Sequence, residues 1–70
     1  MIRVTVYANF VERNPTLFAQ DSDETIALKC IAAQFAAHCS KSGMRVDVHS
    51  EFILDVLKED FGYTVLVEMI

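Results

Sequence analysis

The chemistry open to this chain rests on Cys30, His38, Cys39 and His49, which are all of its cysteines and histidines. A structural zinc needs four such ligands converging tetrahedrally, usually as pairs a few residues apart. Cys30 and Cys39 fall in one predicted helix, so their separation is ~13.5 Å along the axis and they point to opposite faces. Cys30 therefore cannot join the other three, and three ligands do not close a structural site. The same separation exceeds the ~7 Å between Cα atoms that a disulfide tolerates, so both are expected to be free thiols acting as small buried hydrophobes. His38 and Cys39 are adjacent, but successive helical residues point ~100° apart and cannot form a nucleophilic dyad. They read as a boundary histidine beside a core cysteine.

With two glycines in the whole chain, there is no phosphate-cradling loop, and neither a Gly-x-Ser-x-Gly elbow nor a His-Glu-x-x-His pair is present. No enzymatic activity, metal or cofactor is expected. Asn14-Pro15-Thr16 carries the proline that excludes it as a glycosylation acceptor.

Charge is the more informative signal. Ten acidic residues against six basic give a net charge of −4 and a pI near 4.9, which argues against a nucleic-acid-holding domain, because such domains are basic on the contacting face. The acidic residues fall mainly in two groups. Asp21, Asp23 and Glu24 precede one predicted helix, and Glu51, Asp55, Glu59 and Asp60 run along a second. Glu51, Asp55 and Glu59 repeat at i+4, where like charges repel, and Lys58 is the only base in that segment. These seven form either a solvated face or the candidate partner-binding surface.

Elements that position these residues follow from periodicity. Ile2, Val4, Val6, Ala8 and Phe10 alternate with Arg3, Thr5, Tyr7 and Asn9, the pattern of a half-buried strand. Glu12 to Pro15 reads as a turn, and Thr16 to Gln20 as a short returning strand. Asp21 or Ser22 then caps a helix over 25–42, with an Asp21/Glu24 capping box and Gly43 closing it in the left-handed conformation. Leu28, Ile31, Phe35 and Cys39 form a bulky stripe expected to lie on the sheet. Ile26, Cys30, Ala33 and Ala37 repeat the spacing on the opposite side, so a second cover is expected there and these four are the candidate oligomer face. Met44, Val46 and Val48 alternate with Arg45, Asp47 and His49 as another strand. Residues 51–61 read as helix, capped by Ser50 and ended by Gly62, although Phe52 to Leu57 also suits a strand. Tyr63 to Ile70 is the closing strand.

The expected fold is a single α+β domain over 1–70: a mixed sheet of three to four strands in the order β-(β)-α-β-α-β, one long helix on the sheet and a second short one. Val4, Val6, Leu28, Ile31, Phe35, Val46, Val65 and Val67 are expected in its core. The polar side of that sheet would present Arg3, Thr5, Tyr7 and Asn9 beside Arg45, Asp47, His49 and Thr64.

Apolar residues make up 53% of the chain and mean hydropathy is +0.30, more than a one-core domain of this length can bury, so part of the surplus is expected to meet another protein. The most apolar window, Ile26 to Cys39, is too short and too interrupted to span a membrane, and no secretion signal opens the chain, so the expected location is cytoplasmic.

No family motif can be laid onto these residues. The leading expectation is a non-enzymatic module that binds another protein, with the general character of small phage or mobile-element inhibitors: a stoichiometric inhibitor or regulator of a basic, nucleic-acid-handling partner. A homo-oligomeric adaptor, pairing through the small-residue helix face or an edge strand, is the alternative. A single-strand nucleic-acid binder using the sheet face is the second alternative, weakened because Tyr7 stands nearly alone as a stacking platform.

Overall fold

A computed structural model describes residues 1–9, 11 and 13–70. Three strands, β1 (Ile2–Tyr7), β2 (Leu17–Asp21) and β3 (Thr64–Met69), form one sheet in the order β2-β1-β3. Both pairings are antiparallel, so the sheet is not mixed as the sequence suggested. The first strand ends at Tyr7, and the expectations for Phe10 and Glu12 lie outside the described residues.

The long helix α1 (Glu24–Lys41) lies on β2 and β1. Ala27, Ile31, Phe35 and Cys39 are its buried residues, a row at i+4 steps in which Ala27 replaces the expected Leu28. The small Ala27 lets the helix approach the sheet, while Leu28 is half-buried at the side. Asp23, not Asp21 or Ser22, is the N-cap, its Oδ1 accepting from the Thr25 N–H at 2.8 Å. The reason is register: Asp21 pairs with Ile2 as the last residue of β2, and its Oδ1 accepts from the Asp23 N–H at 2.8 Å. At the other end Gly43 N–H bonds Ser40 C=O and Met44 N–H bonds Cys39 C=O, both at 3.0 Å. These two bonds are those of a Schellman closure, with Gly43 at φ +78.

Residues 44–49 are the main departure from the sequence reading, because they are not a strand. Both sides of β1 are already occupied by β2 and β3. Val46 and Val48 instead pack half-buried against the core, while Arg45, Asp47 and His49 stay exposed. Alternation here records one-sided burial, not strand pairing.

A second helical segment, α2 (residues 50–60), follows as a 3-10 turn at Ser50–Phe52, a short α turn at Ile53–Asp55 and a π turn at Val56–Asp60. Helix was the reading preferred over strand for this stretch. Its cap is His49, whose Nδ1 accepts from the Glu51 N–H at 3.1 Å, and not Ser50. Ile53 and Leu57 from α2 join Val4, Val6, Ile31 and Phe35 in the fully buried core. Val46, Leu28 and Val65 are only half-buried, and Val67 is 49% exposed, against expectation. Neither helix reaches over the outer part of β3, so Val67 faces the helix side of the sheet without a cover among the described residues.

Candidate partner-binding surface

The two acidic groups identified from sequence meet only in part. Asp21 and Asp23 spend a carboxylate oxygen each on local backbone N–H groups, so they shape the entry to α1. Glu24, in the first turn of α1, is exposed. Residues 44–49 carry the chain back along α1, so that α2 starts beside the first turn of the long helix. Glu24, Leu28, Lys29, His49 and Glu51 consequently line one open cleft. Asp55, Glu59 and Asp60 continue along α2, all exposed. Phe52, which follows the cleft-lining Glu51 in sequence, is 56% exposed, with its ring centroid 6.1 Å from that of the cleft-lining His49. An exposed aromatic ring beside carboxylates is the feature the sequence reading missed, because Phe52 was weighed only as a helix or strand former and the binding surface of residues 51–61 only by its charge.

The candidate oligomer face, Ile26, Cys30, Ala33 and Ala37, is exposed throughout, and among the described residues α2 does not cover it. Cys30 is therefore an exposed thiol, not a buried hydrophobe, whereas Cys39 is buried and both are free. Among the described residues no group of three or more His, Cys, Asp or Glu side chains could hold a metal ion. No helix of these residues is long and apolar enough to cross a membrane.

On the open face of the sheet, Arg3, Thr5, Tyr7 and Thr64 share one side as expected, but Arg45, Asp47 and His49 lie outside the sheet and Asn9 lies beyond the end of β1. In their place stand Phe18 and Leu66, which flank Thr5 in register and are 45% and 47% exposed. Arg3 is held by Glu68, Nε to Oε1 at 3.2 Å and Nη2 to Oε2 at 3.3 Å. Gln34 of α1 is one of the polar residues within the apolar window Ile26 to Cys39. Its amide occupies the outer edge of β2 at Phe18, donating from Nε2 to the Phe18 carbonyl at 2.6 Å and accepting at Oε1 from the Phe18 N–H at 3.0 Å.

Comparison of the chain with protein-family models, with curated proteins and with solved structures returned no match.

Proposed function

We propose that this chain is a non-enzymatic protein-binding module whose contact surface is the end of the molecule where α1 and α2 begin. On this reading its partner is basic there, in the manner of nucleic-acid-handling proteins, and the chain acts on it as a stoichiometric inhibitor or regulator in the cytoplasm. The observation that carries the reading is that Glu24 and Glu51, from separate helices, line one cleft beside the exposed ring of Phe52. An aromatic anchor rimmed by charge is how protein interfaces combine affinity with steering: the ring supplies desolvated area, and the carboxylates raise the encounter rate with a basic surface. The open sheet face supports a nucleic-acid role less well, since its arginine is already paired with Glu68.

A photo-crosslinker placed at Phe52 identifies the partner in native-host lysate, and association kinetics with that purified partner then test the reading. Reversing Glu24, Glu51, Asp55 and Glu59 to Lys should slow association roughly tenfold or more and flatten its salt dependence. Phe52→Ala should chiefly speed dissociation. Tyr7→Ala and Arg45→Ala should bind as the parent does. Normal binding by the charge-reversed protein, together with loss of binding in the Tyr7 variant, would make the sheet the working face instead.

A further inference from the structure

The two edges of the sheet are finished differently. Met1 and Ile70 exchange both of their backbone hydrogen bonds, each at 2.8 Å. Along an antiparallel ladder, bonded and non-bonded pairs alternate. Counting from that pair, Glu68, Leu66 and Thr64 turn their N–H and C=O groups toward β1, and Met69, Val67 and Val65 turn theirs outward. The same parity directs the backbone groups of Phe18 outward from β2, where the Gln34 amide meets them. No such device meets the outward groups of β3 among the described residues. The strand is also apolar apart from Thr64 and Glu68, and Val67 and Met69, 49% and 81% exposed, border the open edge. Unprotected edges of this composition recruit another strand.

We infer that the strand recruited is β3 of a second copy, running antiparallel about a two-fold axis through Val67 and joining two sheets into one in the order β2-β1-β3-β3-β1-β2. Four observations select this occupant. A two-fold axis normal to the sheet can pass through a bonded or a non-bonded pair; centred on Val67 it pairs Val65, Val67 and Met69 among themselves, whereas centred on Leu66 it would set Met69 against Tyr63, whose N–H is already bonded to the Leu57 carbonyl at 2.9 Å. In that register Val67 bonds Val67 of the second copy, while Val65 and Met69 bond each other in both directions, so every outward group is met. The side chains on the helix side are then apolar against apolar, covering the half-exposed Val67 and the exposed Met69. Glu68, the only charge on the strand, points to the other face opposite Leu66 of the second copy and keeps its Arg3 partner, so no like charges oppose each other directly across the seam despite a net charge of −4 on each chain.

Geometry permits the approach, because α1 rests on β2 and β1, and α2 touches β3 through residues 56–60, which the two-fold sets at opposite ends of the seam. Association is also expected to stop at two, since both remaining edges are β2 edges whose outward-facing Phe18 is already bonded by Gln34. This pairing is independent of the acidic cleft and stands or falls apart from it.

A strand-to-strand seam is at the low end of interface size, so the dimer forms at concentrations of order 0.1 mM, where sedimentation velocity reads it directly. The parent chain should move from 7.9 kDa to twice that mass between about 10 µM and about 1 mM. Val67→Lys and Val67→Glu each place like charges opposite themselves and should each remain monomeric over that range, while an equimolar mixture should recover the dimer. Because Val67 is half exposed, both variants should keep the parent circular dichroism. In the parent, exchange of the outward-facing Val67 amide should slow severalfold as the dimer fills. A parent chain monomeric to about 1 mM, a dimer that Val67→Lys leaves intact but Ala33→Lys dissociates, or open-ended polymers would each overturn the inference.

Discussion

The ring of Phe35 meets that of Phe61 edge-on, with centroids 4.9 Å apart and planes at 82°, and meets Tyr63 in the same manner at 6.1 Å and 89°. One side chain of α1 thus holds the junction at which α2 hands the chain to β3. Phe35 is 1% exposed, so Phe35→Ala removes a buried ring and two edge-on contacts at once. The expected loss is about 3–5 kcal/mol, comparable with the whole stability of a chain this small. Urea unfolding should show Phe35→Ala largely unfolded without denaturant, and Phe35→Leu folded with a lowered midpoint. An unchanged midpoint in both variants would contradict this packing.

Gln34→Ala should cost about 0.5–1.5 kcal/mol, since the Phe18 backbone exchanges a fixed amide for water. Its second effect should be larger in kind: with the β2 edge open, the closed pairing proposed above loses its stop. Light scattering at high concentration should report species beyond the dimer in Gln34→Ala and none in the parent.

Gly43 and Gly62 stand at φ +78 and +69, and a Cβ built at either meets nothing within 4 Å. Substitution by Ala should therefore cost only the backbone term, about 1 kcal/mol at each site. The two costs should add in the double variant, because neither added Cβ meets a neighbour within 4 Å through which the sites could couple. Thermal melts of both single variants and the double variant measure this directly.

Alkylation should distinguish the two thiols. Exposed Cys30 should react with iodoacetamide in the native protein, and buried Cys39 only after unfolding in urea. Mass spectrometry should read one adduct before denaturation and two after. Native modification of Cys39 would place the α1 stripe in the wrong phase.

Much of this layout was legible from periodicity. The alternation of Ile2 to Tyr7 and of the closing strand, and the Ala-rich run closed by Gly43, each have one physical solution. Met44 to His49 did not, because an alternating segment reports only that one side is buried. Whether it pairs depends on where the chain runs: β3, more than fifty residues from β1 in sequence, takes the free side of β1, and residues 44–46 lie beside Ala36 and Ser40 of α1. Val67 failed for a related reason: inward phase on a strand guarantees burial only where a helix extends above it. Capping was misread by one or two residues, since Asp21, Ser22 and Asp23 are all good caps and only the end of β2 separates them. Cys30, Ile26, Ala33 and Ala37 were correctly grouped on one side of α1, but a shared helix face carries no statement of what covers it. The cleft between Glu24 and Glu51 depends on the course of residues 44–49, which the sequence reading had assigned to the sheet.

The mutual pairing of Met1 with Ile70 has a further consequence for how the chain can be reconnected. A pair that exchanges both bonds is the closing pair of a two-residue hairpin, so an Asn-Gly link from Ile70 to Met1 would fit as a type I′ turn without moving either strand. Opening the circle at an exposed position in residues 44–49, such as Asp47, would yield a circular permutant in which β3 and β1 are neighbours in sequence. The most distant contacts of the fold would become its most local ones, and folding should accelerate while the native sheet stays the same.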